Sequence, residues 1–323
     1  MLLSIIIPVY NGENFIKNIL TILVSQNLKD MEVLIINDGS IDNTEHIVKE
    51  IIKNNKNILL ISLKKNSGVS IARNTGIDKS NGKYIYFLDM DDSIPFGTLD
   101  FYRDILTQKQ ADVYVFGFEQ KKNGKSIIYS NKYLNNQYFD SISFYKYLFC
   151  TNIYTNICTN IFLKDLIIRN NVRFPENKVL GEDTDFWRTA LLFAKSIYYN
   201  KRNVFIYQIR TDSTMRGYKI YDIKVFNAFY EEILLINNIV KIFPELEKYA
   251  NYFLTRRFCG NILMYICSLQ KERYVGKKLL NIKHLFFKNM IFRFPQTIVF
   301  YSFFLFPLRI LFYIISNSNV YEK

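Results

Sequence analysis

Residues 84–94 read YIYFLDMDDSI: five apolar or aromatic residues, Tyr84 to Leu88, run directly into Asp89-Met90-Asp91-Asp92. A short, continuously apolar run of β-branched and aromatic residues that stops at a polar turn is the pattern of a strand buried on both faces. Three carboxylates within four positions repel one another, and at the tip of a buried strand they need either solvent or a cation. Taken alone, the cluster fits two readings. One is a solvated acidic turn that caps a helix starting near Pro95-Phe96. The other is an oxygen-rich site for Mg²⁺ or Mn²⁺, ions that commonly bridge protein carboxylates to substrate phosphates.

Three similar units precede this one. Ser4 to Val9 (SIIIPV) reads as a first strand, and the helical recurrence of Phe15, Ile16, Ile19, Leu20 and Leu23 follows it. Met31 to Ile36 reads as a second strand, closed by Asn37-Asp38-Gly39-Ser40, with Ser40 or Asp42 as N-cap of the next helix. Ile58 to Leu63 is a third strand, followed by a Ser67-Gly68 turn and a short helix near Ser70 to Ile77. Four strand–helix units in series predict an α/β fold with a mostly parallel, doubly wound central sheet. In such sheets ligands lie beyond the carboxyl ends of the strands. That rule selects the loops holding Pro8, Tyr10 and Asn11; Asn37 to Ser40; Asn66, Gly68 and Arg73; and Asp89 to Asp92.

Past Asp100 the alternation loosens. Asp112 to Glu119 reads as a strand, Lys121 to Lys125 (KKNGK) as a hairpin turn and Ile127 to Tyr129 as its return; after Thr214 the pattern is helical, with a boundary near Arg216-Gly217. A second acidic group stands at Gly181-Glu182-Asp183-Thr184-Asp185-Phe186-Trp187. It reads either as an ordinary acidic first turn or as a helix start whose amides and dipole keep a carboxylate ionised, as a general base requires.

Charge is divided unevenly. Residues 1–100 carry 10 Lys/Arg against 12 Asp/Glu, whereas residues 241–323 carry 13 against 4. The basic surplus keeps aromatic, apolar company and no nucleic-acid-binding motif, which favours an anionic membrane surface over nucleic acid as partner. From Phe294 to Leu308 there is no charged residue, a run shorter than the ~20 residues of a spanning helix and bracketed by Pro295 and Pro307. It reads as an interfacial segment or as a buried aromatic helix. The apolar N-terminus lacks a basic leader and is read as a strand, not a signal peptide. Cys150, Cys158, Cys259 and Cys267 have no metal-ligand spacing and read as reduced cysteines of a cytosolic protein.

Taken together, SIIIPVYNGENFI, EVLIINDGSIDNT, NSGVSIARNTGI, YIYFLDMDDSI, FPENKVLGEDTDFW and YQIRTDSTM resemble, in order and spacing, the family 2 glycosyltransferases of the bacterial surface-polysaccharide type. The match spans about residues 3 to 215. The resemblance implies a GT-A fold: residues 1–100 as the nucleotide-sugar half, 101–215 as the acceptor-binding, catalytic half, and 216–323 as a helical, membrane-associating region. It further implies a metal-dependent, inverting transfer from a nucleotide-sugar donor, preferably UDP-linked, to a glycan or lipid-linked acceptor on the cytoplasmic face of the membrane. By the same resemblance Pro8 and Tyr10 would border the base and Asp38 would accept from a uracil N–H. Asn66, Gly68 and Arg73 would line the nucleotide site. Asp89 would contact ribose, donor sugar or metal, and Asp91 would ligate the metal with Asp92 assisting. Asp183 would be the base, with Glu182 as its alternative. Trp187 would wall the acceptor, and Arg210, with Ser213, would hold the diphosphate. Asn37 departs from the family's usual Asp.

A haloacid-dehalogenase-type phosphohydrolase is the competing reading, because Asp89-Met90-Asp91-Asp92-Ser93 imitates its nucleophile motif. That motif normally ends the first strand, and here three strand–helix units precede it. No G-x-G-x-x-G follows any strand and no G-x-x-x-x-G-K-[ST] occurs, which removes dinucleotide oxidoreductases and P-loop hydrolases.

Overall fold

The computed structural model describes residues 1–122, 125–130, 134–151, 156–178, 180–208, 220–268 and 270–282. Along the chain lie β1 (Leu3–Val9), α1 (Ile16–Val24), β2 (Met31–Asn37), α2 (Thr44–Ile52), β3 (Ile58–Ser62), α3 (Val69–Lys79), β4 (Tyr84–Phe87) and α4 (Thr98–Gln108). There follow β5 (Val113–Lys122), β6 (Lys125–Tyr129), β7 (Gln137–Phe139), α5 (Ser141–Cys150), β8 (Asn160–Leu163), α6 (Lys164–Arg169), α7 (Glu182–Phe193) and β9 (Ile197–Gln208). The remainder comprises β10 (Ile220–Tyr221), α8 (Ile223–Ile242), α9 (Glu247–Cys267), β11 (Gln270–Lys271) and α10 (Arg273–Asn281).

Chain contacts divide the molecule into two units. The first comprises residues 1–144 and 152–210, and the second 145–151 and 211–323.

The first unit is built on one mixed sheet in the order β3-β2-β1-β4-β8-β5-β9-β7, with β6 paired to β5. β1, β2, β3 and β4 are mutually parallel; β8 runs antiparallel to both β4 and β5, and β9 is parallel to β5. Six of the nine strands therefore point the same way, as the serial strand–helix pattern predicts. Every residue of β1 and β2 is buried, and Leu3, Ile5, Ile6, Ile7, Val33, Leu34, Ile35 and Ile36 are wholly so. Each such side chain contributes about 1.5–3 kcal/mol of hydrophobic stabilisation.

Pro8 sits in β1 without breaking the sheet. The Asp38 amide donates to Val9 O and the Leu88 amide to Ile6 O, so even residues of β1 address β4 and odd ones address β2. Pro8 falls on the β4 side, beyond the last registered pair, Ile6 with Phe87, where no ladder donor is needed.

The chain moves outward from β1 through β2 to β3, and then α3 carries it back across to β4 on the other side of β1. That reversal puts a topological switch point between β1 and β4. The loops after these two strands flank the crevice in which open sheets bind ligands.

In the second unit, α8 buries Phe226, Phe229, Ile233, Ile236 and Ile239 along one face, and the Asp222 side chain caps it by accepting from the Lys224 and Val225 amides. Glu232, 7% exposed, is paired with Arg257 of α9 at 2.8 Å, and Tyr221 donates to Asn261 at 2.9 Å. No helix among the described residues is long and apolar enough to cross a membrane. The aromatic run at 294–308 and the boundary at Arg216-Gly217 lie outside the described residues.

Candidate active site

The loops after β1 and β2 are clipped to each other. The Asn11 amide donates to Ser40 Oγ at 3.0 Å and the Ile41 amide to Asn11 Oδ1 at 3.0 Å; the Gly12 amide donates to Thr44 Oγ1 at 2.7 Å. Gly12 also meets the acidic loop after β4, since a Cβ there would lie 2.6 Å from Met90 Sδ. Gly39 has φ +67°, and a Cβ on it would lie 2.5 Å from the Lys65 carbonyl carbon, so the second loop closes on the third only with glycine.

Asp38, 3% exposed, holds that third loop in place. Its Oδ1 accepts from the Ser67 amide and its Oδ2 from the Gly68 amide, both at 2.8 Å. Each oxygen retains a second lone pair. Asn37 beside it is 1% exposed and donates to Glu45 Oε2 at 3.0 Å, while its Oδ1 accepts from the Ser40 amide. An amide suits this position because a carboxylate would face Glu45 at hydrogen-bond distance. Asn37→Asp is therefore expected to destabilise the protein by about 1–3 kcal/mol at pH 8 and by less near pH 4, where one of the two acids is protonated. Thermal unfolding at the two pH values checks this; an equal loss at both would contradict it.

Arg73 organises the centre of the site. Carried on α3 and only 5% exposed, it donates through Nη2 to Asp89 Oδ1 at 2.9 Å and through Nη1 to Glu182 Oε1 at 3.3 Å. Asp89 follows β4 and Glu182 opens α7, so one guanidinium joins two acidic segments more than ninety residues apart in sequence. Burial is the largest influence and opposes its charge, but Asp89, through charge and hydrogen bond, together with Cys158 and Asp183 outweighs it and holds the guanidinium more firmly protonated than usual. The Phe174 ring lies beneath it, 5.2 Å from Cζ to the ring centroid. Burial raises the pKa of Glu182, neighbouring Asp183 raises it further, and Arg73 works in the opposite direction. Asp183, half-buried in the first turn of α7, accepts from the Thr184 amide at 2.7 Å.

Asp92, 4% exposed, accepts from the Gln208 amide at 3.3 Å, and Ser93 and Ile206 exchange backbone hydrogen bonds, so the end of β9 is fastened beside the acidic loop. Ligand atoms of Asp89, Asp92 and Cys158 lie within 4.8 Å of one another. The donor set fits a hard divalent cation through its carboxylate oxygens. With no ion bound, burial and then Asp89 and Asp92 push the Cys158 thiol well above its ordinary range, so it is neutral there; the carboxylates supply the oxygen ligands that a hard cation prefers. Burial, followed by Asp92, Asp91 and Asp89, also raises the phenol of Tyr207. Cys158 and Tyr207 escaped the sequence reading because neither carries a spacing signal; only strand pairing brings β8 and β9 to this loop.

The loop cluster thus gathers Tyr10 (39% exposed), Asp38, Asn66, Gly68, Arg73, Asp89, Asp91, Asp92, Glu182 and Asp183 around the carboxyl ends of the parallel strands. Asp91 is half-buried and stands outside the group formed by Asp89, Asp92 and Cys158. Trp187 is 4% exposed, donates its indole N–H to Asn160 Oδ1 at 3.1 Å and packs edge-on against Phe144. Pro8 is buried within β1. Arg210 and Ser213 lie outside the described residues.

Comparison with known proteins places this geometry in a class. Residues 4–166 match Glycosyl transferase family 2, and the chain belongs to that family. It is 29% identical over 220 residues to the glycosyltransferase GlyA of Streptococcus pneumoniae, covering 66% of this chain and 31% of GlyA. To the minor teichoic acid biosynthesis protein GgaB of Bacillus subtilis it is 27% identical over 217 residues, covering 65% of this chain and 23% of GgaB. The chain thus spans a third or less of the length of these two relatives. Among solved structures, residues 1–349 of S. aureus TarS in complex with UDP-GlcNAc superpose with a TM-score of 0.68 at 21% identity, covering 86% of this chain and 83% of that one. The fold is GT-A.

Proposed function

We propose that this chain is an inverting glycosyltransferase that moves a sugar from a nucleotide diphosphate donor, a UDP-sugar, to a hydroxyl of a surface glycan or its lipid-linked precursor. The observation that carries this reading is the Arg73 bridge, which brings the acidic tip of β4 and the acidic start of α7 into one site. Family membership and the UDP-GlcNAc bound by TarS support the donor; the teichoic acid role in GgaB's name supports the acceptor class.

On this reading residues 1–100 bind the donor and residues 101–215 present the acceptor. Tyr10 lies along the base, and Asp38 uses its remaining lone pairs for the base N–H while fixing the Asn66–Gly68 loop. Asp89, Asp91 and Asp92 would hold Mn²⁺ or Mg²⁺, which when bound supplies positive charge to the diphosphate. Arg73, with Arg210, adds charge complementary to that building on the leaving nucleotide. Asp183 accepts the proton of the acceptor hydroxyl, and attack from the opposite face inverts the anomeric carbon. Such a single displacement turns an α-linked donor into a β-linked product.

The test is a panel of sugar nucleotides offered with Mn²⁺ or Mg²⁺ and with glycan or lipid-linked acceptors, the product linkage being read by NMR. Cation-dependent transfer from one UDP-sugar with inversion is the expected result; retention of configuration, or turnover unchanged by chelator, would refute it. The basic, aromatic sequence of residues 277–309 supports a position on the cytoplasmic membrane face. Cosedimentation with anionic vesicles tests that placement, and full recovery in the supernatant would count against it.

A further inference from the structure

Beneath the three charged groups lies an aromatic platform of matching connectivity. Phe174 stacks on Phe186 with centroids 4.0 Å apart and planes 4° apart, and it meets Phe87 edge-on at 5.0 Å. All three rings are at most 1% exposed. Phe87 precedes Asp89 by two residues; Phe186 follows Glu182 by four on α7, which places both on the same helix face. Phe174 itself lies under Arg73.

The segment bearing Phe174 belongs to no helix or strand, yet its backbone is fixed to α3. Asn74, next to Arg73, donates through Nδ2 to Phe174 O and accepts at Oδ1 from the Phe174 amide, both at 2.9 Å and both buried. This reciprocal pair satisfies donor and acceptor of one residue as a strand partner would. Two amino groups of Arg73 are bound to carboxylates, whereas its buried Nε has no hydrogen-bond partner, so the ring face helps offset its burial.

We propose that Phe174, clamped by Asn74, is a positioning residue that sets Arg73 and thereby the spacing of Asp89 and Glu182. This rests on the glycosyltransferase reading for its catalytic meaning. A flat ring at van der Waals contact with Phe186 and Phe87 fixes α7 and β4 relative to α3, and the clamp fixes the ring. Loss of the ring face or of the clamp lets the guanidinium and the two carboxylates drift by fractions of an ångström. Misplacement on that scale lowers turnover far more than it lowers stability.

The test compares Phe174→Leu and Asn74→Ala with Phe116→Leu. Phe116 is 1% exposed and packs with Phe101, Tyr102 and Tyr114 in the same unit. All three variants should lower Tm by similar amounts. Only Phe174→Leu and Asn74→Ala should lower kcat for transfer, by about tenfold or more, with KM for the donor changed less than about threefold. Phe174→Met replaces Phe174→Leu if the latter does not fold. A second readout needs no substrate. The Nε–H proton resonance of Arg73, identified by its loss in Arg73→Lys, should be shifted upfield by the ring in the wild type and return to the ordinary arginine range in Phe174→Leu. Failure of the wild type to use any donor would refute the functional reading and leave this resonance test standing. Unchanged kcat in Phe174→Leu, an equal loss in Phe116→Leu, or an Arg73 resonance unmoved by the substitution would overturn the positioning role.

Discussion

Arg73→Met should abolish transfer to within about a hundredth of the wild-type rate and destabilise the protein by about 3–5 kcal/mol at pH 8, the range measured when one partner of a buried ion pair is removed. Methionine keeps most of the buried aliphatic length but removes the charge, leaving Asp89 and Glu182 without a counter-charge. The pH dependence has a definite sign. Glu182 already has a raised pKa through burial and Asp183, and loss of Arg73 raises it further. A carboxyl whose folded pKa exceeds its unfolded value contributes fully below the unfolded value, ordinarily about 4.5, and loses that contribution as pH rises through the folded value. The deficit of Arg73→Met relative to wild type should therefore grow from pH 4 to pH 8. Unfolding midpoints across that range measure it, and a deficit independent of pH would show that packing, not charge, is what Arg73 supplies.

Asp183→Asn should reduce kcat for transfer by about 10²–10⁴, the range for a positioned general base, while donor binding stays within about threefold. The choice of Asp183 over Glu182 follows from their partners. Glu182 is bound to Arg73, whereas Asp183 accepts from the amide and hydroxyl of Thr184 in the first turn of α7 and is not tied to the guanidinium by a hydrogen bond. Glu182→Gln keeps a hydrogen-bond acceptor for Arg73 and should lose less transfer than Asp183→Asn. Single-turnover assays with calorimetric donor binding distinguish the two, and the reverse ranking would move the base to Glu182.

How far all this was legible in sequence depended on where along the chain one reads. Residues 1–100 announce their strands because parallel strands buried on both faces must be continuously apolar, as SIIIPV, MEVLII and YIYFL are. The ligand loops follow from the same reading, since the polar residues begin where those runs stop. The insertion of β8 between β4 and β5 was not legible. Its four residues, Asn160–Leu163, follow β5 by almost forty positions, and no local periodicity encodes an antiparallel partner chosen at that distance. Cys158 reaches the acidic loop only through that insertion. The burial of Trp187 was not legible for a different reason: Phe186, Trp187 and Arg188 are consecutive and all buried, so no helical stripe separates an inward from an outward face. Asn37 was readable as a departure from the family's usual Asp, but its compensation by Glu45 of α2 required coordinates.

The most direct test of the convergence of β4 and α7 on one charged centre is a double-mutant cycle between Arg73→Met and Glu182→Gln, read in unfolding free energy at pH 8. Removing the Glu182 charge should relieve much of the penalty of losing Arg73, so the double variant should be more stable than the sum of the single losses by about 1–3 kcal/mol. Single losses that add to within about 0.5 kcal/mol would mean that the two segments do not share a charge partner, and the account of the site would fail.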